Sequence, residues 1–515
     1  MNAPLDGRTV RIPATYRPVT MAWGIRTSLR RDPSKTALTC EGRSLSYAKL
    51  VERIDRVAAL VRHGFGLAKG DRAAIVAGNC LEYIEIVSGV SEAGVCIATV
   101  NPRQTAAEIG FILEDCGARV VFTTPQLEPL VRAAAAPAVE HVVVIGPGYE
   151  DLIARASTTP ELPLVDEWDA FSMPYTSGTT GKPRGVTLPH RARTMTIFGM
   201  ASEYACYGPD DTYLALAPLF HGAGYAFAHA CVFNGGTCEI LPGFDAETVI
   251  ARLHEGGHSG TFMVPTHFHA IFALPKQTLD RHRGVRLKGL VSNAAALPQR
   301  TKERIVEYFG DGILHESYGS TEAAIVTSLR PADQLRKQQG VGRPFTMNEV
   351  KLLDDEGRPV RQGEVGELYS RSPYLFLGYW QKPEATVAAM RDGWFSAGDL
   401  ARMDEEGYVY LVDRKKDMYI SGGVHVYPRE IEETLFRLPG VREAAVVGVP
   451  DDYWGEVGRA FIVPQPGASL DAEAIIAACK ERLAGHKVPK YVAFQDALPR
   501  NAAGKVLKTD LRTRS

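Results

Sequence analysis

The chain has 515 residues, too many for one ordinary core, so two or more domains are expected. Hydrophobic residues make up 45% and charged residues 23%, the balance of a soluble globular protein. The net charge of −2 gives no electrostatic case for nucleic acid or an anionic membrane.

Residues 1–17 scatter prolines and arginines with no apolar centre, which is not the pattern of a secretion signal. No run of about 18 apolar residues occurs, so no transmembrane helix is expected. The 8 cysteines are dispersed without a Cys-x-x-Cys pair and read as reduced thiols of a cytoplasmic protein.

The first part of the chain alternates strand and helix patterns. Residues 73–77 form a short apolar run, 81–93 repeat at helical spacing, and 96–100 read as a strand. A helix over 106–115, a strand over 119–123 and an apolar run over 141–145 follow. Strands at 261–264 and 287–291 and helices at 266–274 and 299–309 continue the series. Such alternation predicts largely parallel sheets covered by helices. After about Gly340 the strand-like pieces shorten between Asp/Glu/Gly turns, which points to a smaller β-rich piece. The charged run Asp413-Arg414-Lys415-Lys416-Asp417 is either a solvated surface or a domain boundary. The pattern behind it favours the boundary: helix 429–437, strands 444–449 and 459–463, helix 472–483.

The strongest local signal is Tyr175-Thr176-Ser177-Gly178-Thr179-Thr180-Gly181-Lys182-Pro183-Arg184-Gly185. Glycines free the backbone so that successive N–H groups turn toward one anion, hydroxyls add donors, and Lys182 and Arg184 add charge. A flexible Gly/Ser/Thr linker is the alternative, but a linker has no use for two cations at this spacing. The segment departs from the Walker pattern, because Pro183 follows Lys182 where a Ser or Thr would bind magnesium. A second element, Tyr318-Gly319-Ser320-Thr321-Glu322, reads as following an apolar strand over 312–314. Tyr318 offers a flat face for a purine, Gly319 close approach, Thr321 a phosphate donor, and Glu322 a hard oxygen for magnesium; an ordinary strand-end turn accounts for it equally well. In Trp394-Phe395-Ser396-Ala397-Gly398-Asp399, Asp399 either caps local N–H groups or accepts the two ribose hydroxyls. Lys505, after Gly504, stands on a short loop before a helical stretch over 506–512.

The order of these elements resembles the adenylate-forming superfamily: acyl-CoA and aryl-CoA ligases, adenylation domains of peptide synthetases, and beetle luciferases. The resemblance runs from about Pro33 to Arg512 and includes Ala217-Pro218-Leu219-Phe220-His221 and residues 413–423. It implies an α/β multidomain fold. A large N-terminal adenylation domain over 1–412 would hold two αβ-layered subdomains and a β-barrel, and a small mobile α+β domain would span 413–515. It implies that Thr176 to Lys182 cradle phosphates and that Tyr318 stacks on adenine beside Gly319, Ser320, Ala294 and Ala295. Asp399 and Arg414 would hold the ribose, Thr321 the α-phosphate and Glu322 magnesium. Lys505 would bridge carboxylate and phosphate, and His221 would gate the thiol channel. Asp413 would be the hinge that brings Ser421, Gly422 and Gly423 to the site for thioester formation. The adenine-side loop Ser292-Asn293-Ala294-Ala295-Ala296-Leu297-Pro298 departs from the family, which usually has glycines at its second and third positions.

The implied reaction uses ATP, Mg2+ and CoA to convert a small-molecule carboxylic acid into its thioester; a homodimer is left open. The acyl pocket is expected from Phe220, Gly222, Gly224, Tyr225 and His267. No Arg or Lys occurs in 220–228 or 266–270, so an apolar monocarboxylate, fatty or aryl, fits better than a dicarboxylate. Gly224 and the alanines beside it should leave room. A stand-alone enzyme that loads a carrier protein and a non-catalytic ATP-binding paralogue are the competing readings; the second should have lost Glu322 or Lys505.

Overall fold

The computed structural model describes residues 16–177, 183–500 and 506–513, with the backbone of the short strands Pro4–Leu5 and Arg8–Thr9. Gly178, Thr179, Thr180, Gly181, Lys182, Lys505 and the side chain of Ser177 lie outside the described residues. The chain divides into two compact units. The first is Met1–His315, Gly319–Ile325 and Ser372–Thr386; the second is Glu316–Tyr318, Val326–Arg371 and Val387–Ser515.

In the first unit, the strands Arg72–Val76, Cys96–Val100, Val120–Thr123 and His141–Val144 pair in parallel, as their alternation with helices predicts. The helix Ala106–Cys116 shows the local logic. Thr105 and Glu108 form a reciprocal capping box, and Gly117 ends the helix at φ 64°. Its inner face (Ile109, Ile112, Leu113) packs on Ala74, Val76, Ala98 and Val100. Beyond Cys96–Val100 the same sheet continues through Ala170–Ser172 and Pro183–Pro189 to Tyr175–Ser177.

The second sheet of this unit is built on Gly289–Ser292, Gly260–Met263, Thr212–Ala215, Thr237–Ile240 and Thr36–Cys40, all parallel. Helices Ala246–Glu255, Pro265–Phe272 and Gln299–Phe309 cover it through Val249, Leu253, Phe268, Ile271 and Ile305. One boundary differs from the sequence expectation. The strand next to Gly289–Ser292 runs Leu314–Ser320, so it starts where an apolar strand was expected to end. His315, Glu316 and Ser317 are buried in it, and their polarity hides the strand from any hydrophobic pattern.

In the second unit, Gly366–Arg371 pairs with Glu349–Leu353 on one side and with Trp394–Phe395 and Asp399–Met403 on the other; Asp399–Met403 then pairs with Val409–Arg414. All these pairs are antiparallel. Farther along, Val441–Asp451 and Gly455–Pro464 form a long hairpin that extends both strands expected there. Alternate residues feed two cores: Ala444 and Val446 pack with Ile431, Leu435 and Ile475, while Ala445, Val447 and Val449 pack with Leu498 and Leu511. The last helix begins at Lys508 rather than Val506, because Val506 bridges back to Arg500.

A buried ion network ties helices of the first unit. Arg53 donates from Nε and Nη2 to both oxygens of Glu85 (2.5 and 2.7 Å) and from Nη1 and Nη2 to Glu150 (2.7 Å each). The Tyr149 hydroxyl donates to Glu85 at 2.5 Å. Burial pushes the Glu85 carboxyl up, against the pull of Arg53. Arg53→Met would strand that buried carboxylate, at a cost of about 3–5 kcal/mol. We expect a clearly lower midpoint for the first unfolding transition in urea; an unchanged midpoint would mean that the network adds no stability.

Candidate active site

Four neighbouring strands bring several of the candidate residues to one edge. In sheet order they are Leu314–Ser320, Gly289–Ser292, Gly260–Met263 and Thr212–Ala215. Thr321 and Glu322 follow the first, Ala294 and Ala295 the second, His267 the third, and Phe220 and His221 the fourth. Open α/β sheets bind their ligands outside the carboxyl ends of the strands.

Thr321 and Glu322 sit on the turn between Leu314–Ser320 and Ala324–Leu329. The turn is tight: a Cβ on Gly319 would lie 1.8 Å from the Ala324 carbonyl oxygen, and Ala324 itself has φ 53°. The Ser320 hydroxyl accepts from Ala323 N–H at 3.1 Å. Glu322 is held from outside the turn. Its carbonyl accepts from Phe376 N–H (2.8 Å), and its Oε1 accepts from the Tyr379 hydroxyl (2.9 Å). Tyr379 belongs to Gly378–Tyr379, which pairs with Pro183–Pro189, the strand just after the glycine-rich loop. That strand pairs back with Tyr175–Ser177, with Thr176 opposite Arg184. The Arg184 guanidinium lies 5.6 Å from the centre of the Tyr379 ring. Sequence reasoning missed Tyr379; a single tyrosine after a glycine carries no pattern.

Arg193 was also missed. It lies on the helix His190–Glu203, is 7% exposed, and donates from Nη2 to the Thr321 carbonyl at 3.1 Å. Burial lowers its pKa to about 10, with the charge of Glu322 opposing. It lines a small cavity with Gly222, Tyr225, Leu219, Phe171 and Val87. A cation therefore reaches Gly222 and Tyr225, although none occurs in their own stretch of sequence. His221 caps the helix Gly222–Phe233, its Nδ1 accepting from Ala223 N–H at 3.4 Å. His221 is exposed by surface area, yet the atoms crowded around it and then Arg193 lower its pKa.

Not all the expected pocket residues stand free. A Cβ on Gly224 would lie 2.1 Å from the Pro218 carbonyl, so this glycine serves the turn before its helix and does not open the room expected of it. Tyr225 is buried, with its hydroxyl 3.0 Å from Nδ1 of His229. Since His229 Nε2 lies 2.8 Å from the Met21 carbonyl, Nε2 carries the proton and Nδ1 accepts from the tyrosine. His267 stacks on Phe244 (4.2 Å between centres), and burial lowers its pKa to about 4. Phe220 is half-buried. In the adenine-side loop, Ala294 has φ 75°, a conformation that favours glycine.

The second unit carries its own constellation. Asp399 Oδ2 accepts from the Tyr318 hydroxyl at 2.6 Å, and Oδ1 lies 3.1 Å from Arg414 Nε, its partner across the strand pair. Asp413 is buried, and its two oxygens accept from Arg414 N–H (2.7 Å) and Arg429 N–H (2.8 Å). It thus caps the helix Pro428–Phe436 from a distant strand. Burial pushes its carboxyl up, against nearby Lys508, which also pairs with Glu432 at 2.7 Å. Gly422 and Gly423, with φ 57° and 81°, form the two-residue turn between Tyr419–Ser421 and Val424–Val426. Among the described residues no group of three or more His, Cys, Asp and Glu gathers as for a resident metal.

The family described as AMP-binding enzyme matches residues 25–380, and its C-terminal domain family matches residues 430–505. The chain belongs to the adenylate-forming superfamily of AMP-binding enzymes. It is 37% identical to a feruloyl-CoA synthase of Amycolatopsis over 96% of this chain and 98% of that one. It is 33% identical to a long-chain-fatty-acid–CoA ligase of Escherichia coli, over 94% and 92%. The crystal structure of ATP-bound MatB from Rhodopseudomonas palustris superposes with a TM-score of 0.87 at 30% identity, covering 96% of this chain and 99% of that one. As in the family, the fold is a multidomain α/β arrangement. All eight cysteines are free thiols, and no described helix is long and apolar enough to cross a membrane.

Gly319→Ala tests the turn. The new Cβ meets backbone, not a flexible side chain, so the strain is about 1–3 kcal/mol. We expect a soluble enzyme with a lower melting temperature and a marked loss of ATP-dependent turnover; full activity would show that the turn can open without disturbing Thr321 and Glu322.

Proposed function

We propose that this AMP-forming acid–thiol ligase activates an apolar monocarboxylate, fatty or aryl, as its adenylate and then passes the acyl group to CoA. The observation that carries the reading is Glu322. Its Oε1 is fixed by a neutral phenol, and among the described residues no cation is hydrogen-bonded to it; Arg193 acts on it only through space. A carboxylate held in place without a direct ion pair suits magnesium, which binds through one or two carboxylates together with substrate phosphates. When bound, magnesium would offset the negative charge on the phosphate oxygens.

The other roles follow the family's motifs residue by residue. Thr176 to Lys182 would cradle the phosphates and Thr321 would donate to the α-phosphate. Tyr318, Ala294 and Ala295 would border adenine, and Asp399, already oriented by Tyr318 and Arg414, would accept from the ribose. A carboxylate oxygen of the acid attacks the α-phosphorus, and pyrophosphate leaves with the bonding pair. Lys505 offsets the charge that grows there. The thiol of CoA then attacks the acyl carbon and AMP leaves. Feruloyl and long-chain acyl groups in the relatives' names frame the range of acids. Aromatic surface from the half-buried stack of Phe244 on His267 favours an apolar tail. The added cation, Arg193, meets Thr321, the end where the reacting carboxylate belongs.

Lys505→Ala separates the half-reactions. We expect pyrophosphate exchange to collapse, while thioester formation from synthetic acyl-AMP survives. Equal loss in both would remove Lys505 from adenylation, and ADP with orthophosphate in place of AMP with pyrophosphate would refute the ligase reading outright.

Asp413 is proposed as the pivot between domains 1–412 and 413–515. Proline there fixes φ near −65°, so Asp413→Pro should keep exchange but lose most CoA-thioester formation. Thioester made at the wild-type rate would move the pivot elsewhere.

A further inference from the structure

The first unit contains two deeply placed arginines with opposite surroundings. Arg53 has a carboxylate on each side of its guanidinium. Arg193 has none: among the described residues its only hydrogen bond goes to a neutral carbonyl, that of Thr321. A guanidinium carries five N–H groups, and a buried cation without a hydrogen-bonded anion costs several kcal/mol; Glu322 acts on this one only through space. A fork left open in this way, on a rigid helix, is suited to a carboxylate that arrives with a ligand.

The surroundings say where that ligand would lie. Nη2 of Arg193 lies against Gly222, where an added Cβ would meet it at 3.8 Å, an ordinary van der Waals contact, so only a glycine leaves the guanidinium bare on that side. His221 feels the charge of Arg193, and Arg193 feels that of Glu322. Behind the guanidinium the lining turns apolar, with Leu219, Phe171, Val87 and the ring of Tyr225. The fork thus stands between the expected phosphate side, at Thr321 and Glu322, and the expected acyl side, at His221 and Gly222.

We propose that Arg193 is a substrate-positioning cation that receives the reacting carboxylate of the acid and presents it to the α-phosphate. This rests on the ligase reading above. Two anions must meet for adenylation, and the repulsion between carboxylate and triphosphate opposes their approach. A fixed guanidinium lowers that barrier and takes no part in proton transfer. One carboxylate oxygen bonds to the α-phosphorus, the bond to pyrophosphate breaks, and Arg193 stays charged throughout. Being on the helix His190–Glu203, it would hold the acid whether or not Lys505 is in place. A second carboxylate on the substrate is not required to explain it.

The test uses pyrophosphate exchange with cinnamate and hexanoate as probes. Arg193→Met should raise KM for the acid by about tenfold or more, the loss expected for hydrogen bonds to a charged group, with KM for ATP little changed. Arg193→Lys should recover part of the loss. In the unaltered enzyme, cinnamamide and hexanamide should inhibit far more weakly than the acids bind, and the same preference should persist in Lys505→Ala when binding is followed by equilibrium dialysis. An equal rise in both KM values would reduce Arg193 to a pin for the Thr321 turn, and a rise for ATP alone would assign it to phosphate. Either result overturns the proposal, as does amide binding as tight as acid binding. That last comparison decides the matter if Arg193→Met fails to fold. Failure of the ligase reading is a separate result, visible as no AMP and pyrophosphate from the unaltered enzyme with any acid.

Discussion

The hydrogen bond from Tyr379 to Glu322 joins pieces of chain that sequence places far apart. Tyr379 is carried by a two-residue strand that pairs with Pro183–Pro189, and Pro183–Pro189 also pairs with Tyr175–Ser177. Glu322 stands on the turn after another strand altogether. One phenol therefore ties the strand that follows the glycine-rich segment to the carboxylate proposed for magnesium. The donor type matters. An arginine in the same place would orient Glu322 equally well but would cancel the charge that a cation needs. A phenol orients and leaves the charge in place.

The same principle governs the other carboxylates. Asp399 takes a tyrosine hydroxyl on one oxygen and an arginine on the other, which orients it while leaving lone pairs for the ribose hydroxyls proposed to bind there. Asp413 is held by two backbone N–H groups, one of them at the start of the helix Pro428–Phe436. Burial pushes its carboxyl up, so its charge depends on those donors and on the Lys508 ammonium nearby. A change of backbone angles at this position would disturb the helix start as well as the strand, which gives a pivot here a mechanical consequence on both sides.

Much of the frame was legible in the sequence, since periodic segments such as Gln299–Phe309 and Cys96–Val100 match their patterns to the residue. What escaped did so for physical reasons. The strand Leu314–Ser320 buries His315, Glu316 and Ser317, so its start was misplaced although its motif was seen. Gly224 looked like open space but is required by the approach of the Pro218 carbonyl. Tyr379 and Arg193 act through tertiary neighbours 57 and 128 residues away, and no local pattern encodes such partners. Gly178 to Lys182 and Lys505 were read from motif alone, and they lie outside the described residues.

Backbone strain gathers at the same edge as these charges. Ala294 and Ala324 both adopt left-handed angles, at φ 75° and 53°, where a side chain costs about 1–2 kcal/mol relative to glycine. Ala294 follows the strand Gly289–Ser292, and Ala324 closes the turn after the neighbouring strand Leu314–Ser320. Glycine would relieve the strain at either position, but it would also loosen the loop, because the unfolded chain gains freedom. An alanine held in this region has fewer conformations open to it than a glycine. At the loop expected to border adenine, a methyl group in place of hydrogen therefore narrows both the space and the motion available. The departure from the family's glycines at this loop thus stiffens the loop, and if the loop borders adenine as proposed, Ala294 is where rigidity and nucleotide fit meet.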